Sequence, residues 1–177
     1  SPITTKAAMA AVCECIGSAS AAMPQKSTPV PRRIIFLSPR RSAAKPLTNR
    51  PAVIMAEAGG IGLYNGGTAA GASQRHKHVQ WMPEAEGNAS LQLFAPGLPA
   101  DLPEQGVATH PALAMKHCFV RVHCGKGVAV DLAEDSMAAG FARACAELDL
   151  KPGADGLLPP FNLLVGDGWL LVLPRSQ

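Results

Sequence analysis

No unbroken apolar run in the 177-residue chain approaches twenty residues, and mean hydropathy is only +0.12, which argues against a membrane span and for a soluble protein. A secreted disulfide framework is missing too. The five cysteines, Cys13, Cys15, Cys118, Cys124 and Cys145, are odd in number and irregularly spaced, so a reducing, cytoplasmic compartment is favoured. Cys13 and Cys15 form C-x-C rather than C-x-x-C, and no second pair stands at zinc-finger spacing, so a structural zinc site is not expected. The glycine-rich stretch lacks both the Gly-Lys-Ser/Thr ending of a P-loop and the G-x-G-x-x-G pattern. Standard mononucleotide and dinucleotide fingerprints therefore do not apply.

Acidic residues are nearly absent from the first fifty positions. That stretch holds eight of the 16 Lys+Arg but only Glu14 of the 13 Asp+Glu, leaving the remainder with eight basic and twelve acidic residues. The overall charge of +3 is thus no argument for a nucleic-acid partner, because the part with chemistry is mildly acidic. Ser1 to about Pro46 is rich in Ala, Ser, Pro, Lys and Arg, with one short apolar run, Ile34–Leu37, between Arg pairs. Residues 1–50 read as a disordered or aberrant extension; organelle targeting by an Arg- and Ser-rich leader is the alternative, and the absence of a starting Met leaves room for residues upstream.

The 47% hydrophobic content allows one domain with a sizeable core, assigned to residues 51–177. Val53, Ile54 and Met55 read as the last turns of a helix stopped by Gly59-Gly60, followed by a short strand at Ile61, Leu63 and Tyr64. Asn65 to Ser73 is poor in bulky side chains, and its glycines permit a tight loop with uncovered backbone amides. It leads into a strand from Gln74 to Met82. Residues 83–110 read as a long connection in which only Leu91–Phe94 looks structured.

Lys116 to Val122 alternates as a strand, and Asp131 to Leu150 places Met137, Phe141, Cys145 and Leu148 on one helical face. A hairpin is expected at the end, from Phe161–Val165 through a Gly166-Asp167-Gly168 turn to Trp169–Arg175. Strands and helices with an antiparallel ending give the α+β class.

The chemistry concentrates in Ser73-Gln74-Arg75-His76-Lys77-His78-Val79-Gln80. On a strand His76, His78 and Gln80 share one face, opposite Lys77, Val79 and Trp81. Neutral imidazole is a competent nucleophile towards phosphorus when its second nitrogen is held by an acceptor such as a backbone carbonyl. The developing negative charge calls for fixed donors, which the glycine loop, Ser73 and the Gln80 amide could supply. A polar strand at a solvent-facing edge is the plain alternative. Histidines at i and i+2 can also chelate a metal, but no acidic or cysteine partner lies close by.

Elsewhere, His117 and His123 with Cys118 and Cys124 invite a metal reading, against which a buried strand of alternating Cys and apolar residues is favoured. Arg175 either touches substrate phosphate or caps an edge, and Asn162 and Trp169 read as packing and capping residues outside the site.

The run Tyr64-Asn65-Gly66-Gly67-Thr68-Ala69-Ala70-Gly71-Ala72-Ser73-Gln74-Arg75-His76-Lys77-His78-Val79-Gln80 resembles the core motif of the diadenosine tetraphosphate phosphorylases, also called ATP adenylyltransferases. This family belongs to the histidine-triad-like superfamily together with galactose-1-phosphate uridylyltransferase. Both transferases carry glutamine where the hydrolases carry a third histidine. A second block, Lys116–Arg121 and then Phe161–Leu164 with Trp169–Arg175, follows in the same order, so the resemblance covers about half of the chain.

The resemblance implies a histidine-triad-like antiparallel sheet with flanking helices, His78 as the nucleophile accepting an adenylyl group, and His76 positioning it through its backbone carbonyl. Gln80 completes the catalytic set. Asn65, Gly67, Ser73 and Gln74 are the implied substrate-binding residues. The implied reaction is phosphorolysis of diadenosine tetraphosphate to ATP and ADP, with ATP, ADP, the dinucleotide and phosphate as partners. No covalently bound cofactor is implied, while a divalent metal such as Mg could accompany the nucleotide. A histidine-triad hydrolase and an inactive nucleotide-binding remnant are the alternatives. Arg75 replaces a proline common in the family, and Ser1–Pro46 shows nothing like the family's upstream strands and base-binding residues.

Overall fold

The computed structural model describes residues 49–72, 79–86, 88 and 90–175. Helix α1, Asn49–Ala58, begins inside the segment read as an extension. It buries Ala52 and Met55, three residues apart on one face, both with no exposure. The helix ends as expected. The Gly59 amide still donates to the Met55 carbonyl at 3.0 Å, but Gly59 and Gly60 take φ of 63° and 91° and turn the chain into the sheet. A Cβ on Gly60 would lie 2.2 Å from the Met82 carbonyl oxygen, so only glycine fits this crossing.

Six strands follow among the described residues: β1 Ile61–Gly66, β2 Val79–Met82, β3 Val107–Ala108, β4 Cys118–Arg121, β5 Phe161–Gly166 and β6 Trp169–Pro174. They form one antiparallel sheet in the order β2-β1-β5-β6-β4-β3. The α+β expectation holds. The C-terminal hairpin also stands where expected, with Gly166 belonging to β5 and the tight turn reduced to Asp167 and Gly168, at φ of 54° and 79°.

Alternation along β6 divides the core. Leu170 and Val172 join a cluster with Val120, Leu163, Val165, Ala133, Met137 and Ala144, so α1 and α2, Val130–Glu147, cover that face. Trp169, Leu171 and Leu173 join Phe119, Leu164, Leu91, Phe94, Leu98 and Leu113 on the other. Both faces of the central hairpin are therefore dry. This is why β5 and β6 read as nearly continuous apolar runs rather than as alternating strands.

Two expectations need correction. The connection over residues 83–110 carries more structure than the Leu91–Phe94 run, because a 3-10 helix spans Leu91–Gly97 and β3 pairs with β4 through Val107 and Ala108. Asp167 pins the start of this segment: it accepts from the Ser90 hydroxyl at 2.5 Å through its carboxylate and from the Gln92 amide at 2.9 Å through its carbonyl. In α2 the buried face is Ala133, Ser136, Met137, Gly140 and Ala144, with Phe141 and Cys145 at its margin. Close approach decides this. A Cβ on Gly140 would stand 2.5 Å from Cγ1 of Val122, so the helix meets the sheet through its smallest residues and its bulky ones flank the contact.

Candidate active site

His76, His78, Ser73 and Gln74 lie outside the described residues, whereas Gln80, Asn65 and Gly67 lie within them. Gln80 sits on β2 directly opposite Leu63 of β1, and Asn65 lies two residues beyond Leu63 on the same face. Gln80 is exposed and Asn65 half-buried. Val79 and Trp81 take the opposite face, where the Trp81 indole donates to the Gly59 carbonyl at 2.9 Å.

The turn after β1 departs from the expected open loop. Asn65 and Gly66 belong to the strand, and Thr68–Ala70 form one turn of 3-10 helix, with Gly67 and Gly71 in left-handed regions at φ of 100° and 89°. The amides of Ala70 and Ala72 donate to the Gly67 carbonyl at 3.1 Å, and that of Gly71 to Thr68 at 2.9 Å. These three amides are thus used within the turn rather than left uncovered. Ala70 is buried and anchors the turn over the end of β5.

Beneath the turn lies Asn162, which sequence reasoning placed among packing residues. Its side chain is wholly buried, and its amide nitrogen donates to Oδ1 of Asn65 at 2.6 Å and to the Ala70 carbonyl at 2.9 Å. Asn65 and Asn162 are paired positions of adjacent strands. Asn162 Oδ1 has no partner among the described residues. The available signal was one amide inside the apolar run Phe161-Asn162-Leu163-Leu164-Val165, since a buried polar group is costly unless bonded.

His110 and His117 are structural, whereas His123 is exposed and its Nδ1 lies 3.0 Å from the Glu104 carboxylate. The His110 amide donates to Nε2 of His117 at 2.7 Å, and Nδ1 of His117 lies 2.7 Å from the Met115 carbonyl, so its Nδ1–H donates there and neither nitrogen is available to a metal. Burial, reinforced by His117, pushes the His110 pKa down, against a smaller opposing effect of the Phe94 carbonyl. Burial pushes the pKa of the Cys118 and Cys124 thiols up to about 11 and raises that of Cys145, which favours the protonated thiol in all three. Among the described residues no group of three or more His, Cys, Asp and Glu could hold a metal, and no helix is long and apolar enough to cross a membrane. A cleft beside the hairpin turn, lined by Glu84, Glu86 and Asp167, has the wrong charge for phosphates.

Residues 48–94 match the model of the Ap4A phosphorylase N-terminal domain family. The fold matches the crystal structure of yeast Ap4A phosphorylase Apa2 at a TM-score of 0.51 and 23% identity, over 68% of this chain and 41% of that one. Structures of the yeast protein with Ap4A and with AMP match at TM-scores of 0.48 each, 22% and 24% identity, over 66% of this chain and 38% and 39% of theirs. The chain therefore spans only about two-fifths of the length of the solved structures it matches. No curated protein matches it. The family match is confined to residues 48–94, and the likeness to the yeast protein is one of fold.

Proposed function

We propose that the chain carries an adenylyl-transfer site for Ap4A. The family match across residues 48–94, which contains the whole His76–Gln80 motif, is the observation that carries this reading. Gln80 and Asn65 on one sheet face support it, since two neutral amides can bind phosphate oxygens at any physiological pH.

In the proposed reaction a ring nitrogen of His78 attacks the phosphorus next to one adenosine of Ap4A. A phosphorus–nitrogen bond forms, the phosphorus–oxygen bond to the remaining chain breaks, and ATP leaves. Inorganic phosphate then attacks the same phosphorus, releasing His78 and forming ADP. Gln80 in place of a third histidine supplies a donor without a transferable proton, which suits an intermediate that must outlast the exchange of ATP for phosphate. Ser73, Gln74 and Gly67 bind phosphate in this reading.

The test uses the full chain with Ap4A labelled in the adenosine. An acid-labile adenylyl group on the protein is expected, with ATP and ADP formed only when phosphate is present, and His78→Ala should abolish both. AMP release that ignores phosphate would make the protein a hydrolase. Binding without labelling or turnover would reject transfer altogether.

A further inference from the structure

Asn65 and Asn162 face each other across β1 and β5, and the Ala70 carbonyl settles how both amides are turned. A carbonyl can only accept, so the Asn162 atom 2.9 Å from it is the amide nitrogen. That nitrogen has a second hydrogen, and the Asn65 atom 2.6 Å away must be an acceptor, its Oδ1. Reversing Asn65 would set two NH2 groups against each other. Asn65 therefore turns its oxygen inward and keeps both hydrogens of its own amide nitrogen at the other end of a half-buried side chain.

The arrangement leaves Asn162 Oδ1 buried without a partner among the described residues, and a buried amide oxygen left unpaired costs about 1–3 kcal/mol. Leucine or valine, as at Leu163, Leu164 and Val165 of the same strand, needs no such partner. A polar group retained there calls for a reason other than stability.

We infer that Asn162 is a positioning residue: it never meets the substrate, but it holds Asn65 so that the Asn65 amide nitrogen donates to a phosphate oxygen of the bound nucleotide. This rests on the transferase reading for the identity of the ligand. It does not rest on it for the orientation of the two amides.

Asn162→Asp replaces the nitrogen by an oxygen of nearly the same size and gives up the bond to the Ala70 carbonyl, which can only accept. Asn65 must then turn its NH2 inward to satisfy the new acceptor, and its oxygen confronts the phosphate. Loss of a hydrogen bond to a charged group predicts a fall in kcat/KM for Ap4A of about 10- to 100-fold. Asn65→Ala should produce a similar fall, and Asn65→Ala with Asn162→Asp should be no worse than Asn65→Ala alone. A merely structural Asn162 would lower the melting temperature and leave kcat/KM of the folded protein unchanged, or would lower it by the same factor in both backgrounds. Either result overturns the inference.

Should Asn162→Asp fail to fold, Asn65→Asp keeps the inward acceptor, presents a second oxygen outward, and should lose kcat/KM with its melting temperature retained; unchanged kcat/KM there also overturns the inference. A chain without turnover is tested with AMP as the probe, by NMR of the Asn65 side-chain NH2. A shift on adding AMP that is lost in Asn162→Asp sustains the positioning role while the transferase reading falls, and no shift in the unaltered chain rejects both.

Discussion

His110 is only 7% exposed, between Phe94 and Phe119, with its Nδ1 accepting from the Ala112 amide at 3.1 Å. Burial and the neighbouring His117 hold its pKa below the ordinary 6.5, so the neutral ring is the folded form. Between that depressed value and 6.5 the unfolded chain binds the proton and the folded chain does not, so stability rises with pH across the window. The contribution is complete above 6.5 and is lost as pH falls through the folded value. Thermal unfolding followed from pH 7.5 downward should show it, and His110→Gln, which cannot titrate there, should flatten that part of the profile. At this scale the sequence was a partial guide. Asn65 and Gln80 were singled out from the motif, but Asn162 was passed over, because a lone amide in an apolar run does not reveal which carbonyl it will meet.

At the scale of elements, the helices and the hairpin were legible because their signals are local. The α2 terminus shows a further local device. The Leu150 amide donates to the Cys145 carbonyl at 2.9 Å and the Asp149 amide to Ala146 at 3.3 Å, a Schellman ending with Asp149 left-handed at φ 54°. Glycine is the usual residue there. Asp149 pairs with Lys151 at 2.7 Å, but their side chains are 73% and 80% exposed, so the ion pair contributes little. Asp149→Gly should therefore stabilise the protein by about 0.5–1 kcal/mol, relief of left-handed strain outweighing the flexibility of glycine in the unfolded chain. Urea unfolding at fixed pH measures it, and a lower midpoint would refute it. The face of α2 was harder to read, since its bulky stripe suggested Phe141 and Cys145 while tight packing on Val122 selected Gly140 and Ala144. β3 escaped notice because two residues make no periodic pattern and exist as a strand only beside β4.

At the scale of the whole molecule, β5 and β6 lie at the centre of the sheet with clusters on both faces, while β2 and β3 end it. Amide hydrogen exchange should divide accordingly. Protection in Leu163–Val165 and Leu170–Leu173 should approach that of global unfolding, and that in β2 should be orders of magnitude lower. Uniform protection across the sheet would show that β2 is held by more than its pairing with β1.

The order of residue types along the chain was enough to determine the α+β class, the end of the first helix and the terminal hairpin. Each depends on periodicity, turn geometry or short spacing, which neighbours in the chain settle among themselves. Only the tertiary structure decided that Asn65 and Asn162, 97 positions apart, share a hydrogen bond, and that Ala70 fixes which way both amides turn. Such contacts depend on strand register and on how a turn folds over a neighbouring strand, and neither is written in any local stretch of sequence.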